Sequence, residues 1–406
     1  MDAKYSLGEP RLLISRAALL HNARVLRRHL APGVKLCAMV KADAYGHGAS
    51  IVTDTLCNLS NRDGEETPSA DQVAVATIDE AALLALDTAH TPIMIMRPLE
   101  NVFLGRQREA IEFAIRRGCT LTLMSGAAAD DVARVALNTG KRANIHVMVD
   151  TGMTRCGVPI HRLNELLTRI GQLTPLRIVS LGTHFANSDT PYDRFTMDQL
   201  RAFARATDAY VIADGNRILR HAANSGGIFF TPQAHLNMVR PGISLYGIDP
   251  TCQPNTDRPL KPAMRWTAPL MAIHEIKSGQ SIGYGQTFRA ARDMRIGLVP
   301  VGYADGYLRA FSNRAVMFVN GGVCPVVGRV SMDFTTIDLT NAPQAIISDE
   351  VVVLDDDPLS PASAYELSRL ADTIPYELFT RIGSRVRRVG VQPEDSQIQA
   401  AEEADY

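Results

Sequence analysis

A lysine at position 41 ends the apolar run 36–40 and is followed by Ala42-Asp43-Ala44-Tyr45-Gly46-His47-Gly48. Such a run reads as a strand buried on both faces, its carboxyl end opening into a tight loop. An amine carried into such a place is costly to keep charged, so it loses its proton more easily and becomes nucleophilic. A neutral lysine in an apolar pocket is what Schiff-base chemistry with an aldehyde requires. The same residue could instead snorkel at the strand rim, stem buried and ammonium in water, and this stretch alone does not choose between the two. Other reactive side chains recur at comparable places. Arg155 follows the apolar segment 145–149, His184 ends 178–184, Asn224-Ser225-Gly226 follows 219–223, and Arg240 lies within 238–243. Together they make a nucleophile, a ring-sized histidine, a phosphate-friendly Ser-Gly turn and two arginines.

The elements that must position these groups alternate. Apolar strand patterns fall at 36–40, 73–77, 92–96, 121–124, 145–149, 178–184, 219–223 and 238–243. Helical patterns separate most of them: 51–59, a helix starting near Ile78, 106–117, one from Ala127 to Gly140, 159–170 and the long segment 192–213. A short strand at 12–15 and a helix capped by Ser15 precede the set. Eight such units over about 240 residues match a (β/α)8 barrel, in which chemistry sits at the carboxyl ends of the strands. An open doubly wound sheet is the competing topology, and the lack of a glycine-rich dinucleotide fingerprint after the first strand counts against it. Past Gly247, four prolines (250, 254, 259 and 262) mark a linker, and short β-patterned runs at 295–301, 315–319 and 351–354 follow. A helix at 363–371 is the main exception. The expected organisation is α/β: a barrel domain over 12–248, then a smaller, mainly β domain over 249–389, which residues 1–11 could join. An acidic, disordered tail over 390–406 completes it. The polar segment 60–72 reads as a surface loop.

The totals narrow the partners. Lysine and arginine number 42 against 43 acidic residues, a formal net charge of -1. This balance gives no pull toward nucleic acid or an anionic membrane, which leaves a small molecule as the expected substrate. The six cysteines are scattered without a CxxC pair, a usage of reduced thiols that points to neither a disulfide framework nor a metal site. No apolar run approaches the roughly 20 residues needed to span a bilayer. The amino terminus lacks the apolar core of a secretory signal, so a cytoplasmic protein is expected.

Nine segments, AMVKADAYGHG, VDTGMTRCGV, THFANSD, HAANSGG, MVRPGISLYG, GYGQT, GYADG, GRVSMD and IPYE, occur in that order. On these motifs the chain, from about Leu12 to Arg388, resembles the alanine racemase family of pyridoxal 5'-phosphate enzymes. The resemblance implies that Lys41 carries the cofactor and serves as one catalytic base, with Tyr284 of GYGQT as the opposite base. It implies that Tyr45, Ser225, Tyr376 and the backbone amides of Gly242 and Ile243 hold the cofactor phosphate. Arg240 would face the pyridine nitrogen, and His184 would lie against the ring within reach of Tyr284. Arg155 and the backbone of Met332 would fix the substrate carboxylate, and Tyr303 would narrow the entrance. The family acts as a homodimer with shared sites, so Tyr284 and Met332 are expected to reach the partner's barrel. L- and D-alanine would be interconverted, supplying D-alanine for peptidoglycan.

The chemistry is consistent with that assignment. Racemisation removes an α-proton from one face and returns it to the other, most directly with a base on each side. Free lysine and tyrosine have pKa values near 10.4 and 10, so both need help from their surroundings at neutral pH. A guanidinium is donor-only, so Arg240 would leave the pyridine nitrogen unprotonated and the ring a weaker electron sink. That would restrain side reactions such as transamination. One position departs from the pattern. Many family members carry, two residues before the aspartate of VDTGM, a lysine modified to a carbamate that braces the substrate arginine. Met148 stands there and cannot become an anion, so Arg155 is expected to recruit another partner or a small anion such as chloride. A serine or broad-specificity racemase and a non-catalytic cofactor carrier are the rival readings. A decarboxylase on the same scaffold would need an acid where Arg240 stands.

Overall fold

The computed structural model describes residues 9–57, 69–100, 106–213 and 215–392. Most of the 60–72 segment and the tail from 393 onward lie outside the described residues. The chain divides into two compact units, one of Leu20–Ala44 and Val52–Leu245, the other of Met1–Leu19, Tyr45–Ile51 and Tyr246–Tyr406.

The first unit is the barrel. Its eight parallel strands run Leu219–His221, Leu176–Gly182, Ala143–Asp150, Thr120–Leu123, Ile93–Ile95, Gln72–Val75, Lys35–Met39 and Met238–Val239, each paired with the next. Gln72–Val75, Ile93–Ile95 and Thr120–Leu123 are buried at every residue, as expected of parallel strands covered on both faces; Thr122 is buried with its hydroxyl donating to Ile95 O at 2.6 Å. The barrel is nearly closed. Between Leu219–His221 and Met238–Val239 there is no ladder, but Asn237 N donates to Arg220 O (3.1 Å) and Arg240 N to Ala223 O (2.9 Å), bridging the seam. Helix starts are set by local chemistry. Thr77 and Glu80 form a capping box for Ile78–Leu83, and Ser125 caps Gly126–Thr139, which ends at Gly140 in the left-handed conformation. Caps of this kind are typically worth about 1 kcal/mol each.

The long helix expected over 192–213 is shorter. Tyr192 has φ +60° and cannot join a right-handed helix. The helix Arg194–Thr207 instead starts on the Asp193 carboxylate, which accepts from Thr196 N at 2.7 Å. A 3-10 turn and the strand Ile212–Ala213 follow it.

The second unit is mainly β. A six-stranded sheet runs Gly322–Pro325, Val316–Val319, Glu350–Leu354, Met264–Pro269, Arg11–Ser15 and Arg387–Val391, beside a three-stranded sheet of Ala272–Ile276, Met294–Val299 and Thr335–Asp338. The opening strand of the chain therefore sits between Met264–Pro269 and Arg387–Val391, although the sequence reading grouped it with the barrel. The helix Ala364–Leu370, capped by Ser363, is as expected. A second helix, Pro375–Arg381, starts on a proline in its first turn, where the missing N–H costs nothing. Among the described residues no helix is long and apolar enough to cross a membrane, and the six cysteines form no disulfide.

Candidate active site

Lys41 stands where a strand gives way to an unusual turn. Val40 N still donates to Ala74 O (2.8 Å), continuing the parallel ladder for one residue. Ala42, Asp43, Ala44 and Tyr45 then all have φ between +51° and +54°. Ala44 N returns to Val40 O at 2.9 Å, closing one turn of left-handed helix. For L-residues this conformation costs roughly 1–2 kcal/mol each, so surrounding contacts must impose it. Gly46 ends the turn at φ +81°, where a Cβ would stand 2.2 Å from Phe379 O, so nothing larger fits.

Burial pulls the Lys41 amine below its ordinary pKa, helped by Arg155 and Arg240 and opposed by Glu80. His184 is pushed down to about 3 by burial and then by Arg240, Arg155 and Lys41. The barrel thus collects Lys41, Arg155, His184 and Arg240, from four separate loops, into one electrostatic group.

Arg240 is 2% exposed. Its Nη2 donates to Thr183 O (2.8 Å) and Ala222 O (3.1 Å) and lies 3.2 Å from His184 Nδ1, while Nη1 meets His221 Nδ1. No carboxylate pairs with it among the described residues, and burial draws its pKa to about 10, which still leaves it charged at neutral pH. Because a guanidinium only donates, both imidazoles must accept at Nδ1 and carry their proton on Nε2. His221 stacks on His146 with centroids 4.7 Å apart, and His146 Nδ1 meets Ser180 Oγ at 3.0 Å. Burial holds His146 at about 3 and His221 well below its usual value. Gly182 faces the pair; a Cβ there would be 2.3 Å from His221 and 2.8 Å from His146.

Ser225 begins the short helix Ser225–Phe230, for which Asn224 is the cap. The Ser225 hydroxyl accepts from the Gly242 and Ser244 amides (3.0 and 3.3 Å), so its own proton is left to point elsewhere. The Gly242 amide, expected to serve a phosphate directly, is turned to this hydroxyl. Ile243 begins a buried 3-10 turn, Ile243–Tyr246. Arg155 is exposed and makes no hydrogen bond or ion pair among the described residues. Met148 is 3% exposed on its strand.

The remaining candidates belong to the β unit. Tyr45 lies 6.1 Å from Tyr376 and 5.1 Å from Tyr246, centroid to centroid. Tyr284 rises on a turn between Gly283 (φ +68°) and Gly285 (φ +70°) and is 72% exposed. Tyr303 and Met332 are half exposed and tied together: Tyr303 N donates to Ser331 O and Ala304 N to Met332 O, both at 3.0 Å. Arg385 braces that pair of loops, bonding Asp305 at 2.8 Å and Asp333 at 3.0 Å.

Residues 14–250 match the alanine racemase N-terminal domain, and residues 263–390 match the alanine racemase C-terminal domain. The chain belongs to the alanine racemase family. It is accordingly an isomerase, and its barrel and β unit are those of the family's fold. It is 34% identical to an alanine racemase of Desulfovibrio desulfuricans over 93% of this chain and 97% of the other. With one of Syntrophobacter fumaroxidans it shares 36% identity over 91% and 94%. Among solved structures, alanine racemase from Streptomyces coelicolor superposes with a TM-score of 0.82 at 30% identity, covering 96% of this chain and 100% of that one. The Bartonella henselae alanine racemase, solved with covalently bound pyridoxal phosphate, gives 0.78 at 28% identity over 94% and 99%.

Several groups at this site have no role marked for them by a motif in the sequence. His146 and His221 are isolated histidines in apolar strands, a pattern that more often marks a satisfied core residue. Glu80 was legible as the third residue of a capping box. Its bond to Ala42 N was not.

Proposed function

We propose that the chain is a pyridoxal 5'-phosphate-dependent alanine racemase in which Lys41 and Tyr284 are the two bases. The observation that carries this reading is an amine of lowered pKa, Lys41, grouped with a buried Arg240 that lacks a carboxylate partner among the described residues. The residues present fit the cofactor: an amine for its aldehyde, the Ser225 hydroxyl for its phosphate, and a donor-only guanidinium for its ring nitrogen. Tyr45, Tyr376 and the Ile243 amide complete the proposed phosphate contacts, while the Gly242 amide braces the Ser225 hydroxyl. When bound, the cofactor would supply a conjugated ring that takes up negative charge from the substrate α-carbon.

The protein's own part is proton handling and orientation. Lys41, neutral at Nζ for more of the time than a free lysine, accepts the α-proton on one face; the Tyr284 hydroxyl serves the other face. Arg240 supplies no proton, and the neutral His184 and His221 hold its guanidinium in place. Arg155 and the Met332 backbone orient the substrate carboxylate, with a chloride-sized anion in the role that a carbamate plays in relatives. Tyr303 narrows the entrance. We propose a homodimer with shared sites, Tyr284 and Met332 serving the partner's barrel, acting in the cytoplasm and supplying D-alanine for peptidoglycan.

A serine or broader racemase would use the same groups, since one methylene or hydroxyl discriminates by only about 1–3 kcal/mol in an apolar pocket. A panel of L-amino acids assayed for the D-form is the test. Alanine should turn over with the highest kcat/KM. Bound cofactor with no racemisation of any substrate would sink the proposal and leave a carrier.

A further inference from the structure

The carboxylate of Glu80 binds three backbone amides that are far apart in their local roles. Its Oε2 accepts from Ala76 N (2.6 Å) and Thr77 N (3.3 Å) at the start of Ile78–Leu83, while Oε1 accepts from Ala42 N (3.0 Å). A capping-box glutamate ordinarily serves only its own helix. Here the second oxygen crosses to the neighbouring strand end and caps the left-handed turn as well. Ala42 N is a first-turn donor with no intrahelical acceptor. Lys41 is therefore held from both sides: Val40 by its bonds to Ala74 O and from Ala44 N, and Ala42 by Glu80.

We infer that Glu80 is a positioning residue that fixes the Lys41 backbone by capping the left-handed turn, resting on the reading that Lys41 carries the cofactor. Without the cap, the turn is free to leave a conformation its alanines and aspartate disfavour, and the amine swings off its line. Glu80 also acts through charge. The groups acting on Lys41 are Arg155, Arg240, Cys156 and Glu80, and Glu80 is the sole carboxylate among them. Its removal lowers the amine's pKa further.

The test compares the unchanged protein with Glu80→Gln, Glu80→Ala and Thr77→Ala. Thr77→Ala weakens the same helix start (its hydroxyl accepts from Glu80 N at 3.1 Å) but leaves the bond to Ala42. Two readouts are taken on cofactor-free protein. One is the rate of covalent attachment of added pyridoxal 5'-phosphate to Lys41, trapped with borohydride and mapped by mass spectrometry. The other is the pH profile of Lys41 acetylation. Thr77→Ala should attach cofactor within about twofold of the unchanged rate, while Glu80→Gln is slowed about tenfold and Glu80→Ala more. Acetylation of Lys41 in both Glu80 variants should move to lower pH. Glu80→Gln that attaches cofactor at the unchanged rate, with an unmoved acetylation profile, overturns the inference; this variant keeps the side chain's size and decides the matter if Glu80→Ala fails to fold. If the unchanged protein is labelled at a residue other than Lys41, the reading of function fails instead, and the acetylation profile still judges Glu80.

Discussion

The barrel and the β unit hold their candidate residues in opposite ways. In the barrel, Arg240 bonds His184 and His221, His146 stacks on His221, and their protonation is displaced far from ordinary values. In the β unit, Tyr284, Tyr303 and Met332 stand exposed on loops fixed by backbone bonds and the Arg385 brace. Burial in low dielectric magnifies every charge and makes the barrel group electrostatically complete within one fold. The exposed group has position without environment. Such a phenol acquires a catalytic setting when something covers it, which is the physical content of the proposed dimer.

Four experiments bear on that contrast. The largest effect should come from the two proposed bases. Lys41→Ala and Tyr284→Phe should each lower racemisation by about 10²–10⁴-fold, read as D-alanine formed from L-alanine. Tyr284→Phe should keep α-hydrogen exchange with D₂O for one enantiomer only. Equal exchange of both would mean that the exposed phenol is not a base and the contrast has no catalytic meaning.

Next in size is Arg240→Glu, which replaces a donor by an acceptor opposite the proposed ring nitrogen. A longer-wavelength absorbance band with substrate and added transamination are expected. If spectra and product ratios stay unchanged, Arg240 does not restrain the chemistry.

The buried histidines make a stability prediction. Their folded pKa values are depressed, to about 3 for His146 and His184, against an ordinary 6.5. Between these values the unfolded chain binds more protons than the folded one, so the stability they allow is whole above pH 6.5 and is lost as pH falls toward 3. Each such group contributes a slope of up to about 1.4 kcal/mol per pH unit. Melting temperatures measured from pH 7 to 4 should fall less steeply in His146→Gln than in the unchanged protein. Parallel curves would contradict the assignment.

The smallest effect is expected at Arg155. With Met148 unable to carry a charge and Arg155 without a partner among the described residues, halide should occupy the site and change activity about twofold, an exposed ion being worth under 1 kcal/mol. A bromide-soaked crystal with no anomalous peak near Arg155 would remove the anion from the account.

Much of this was legible because local patterns are periodic. The eight parallel strands, most helices and the caps Ser15, Ser125 and Ser363 follow from apolar spacing and from side chains that bond amides three residues on. The segment 192–213 misled because apolar spacing continued through Tyr192 and past Thr207, where the backbone conformation does not. The motifs named Lys41, Arg155, His184, Ser225 and Arg240, and the barrel brings Lys41, Arg155, His184 and Arg240 into one electrostatic group.

By itself, the sequence determined which segments are the barrel's strands and which reactive side chains follow them in the chain. Period and burial are properties of neighbours in the chain, so they can be read there. Tertiary structure alone decided that the opening strand joins a sheet whose other members come after residue 263, that His146 stacks on His221, and that Glu80 reaches the amide beside Lys41. Those pairings join residues distant in the chain, and a long-range contact leaves no periodic trace in either partner.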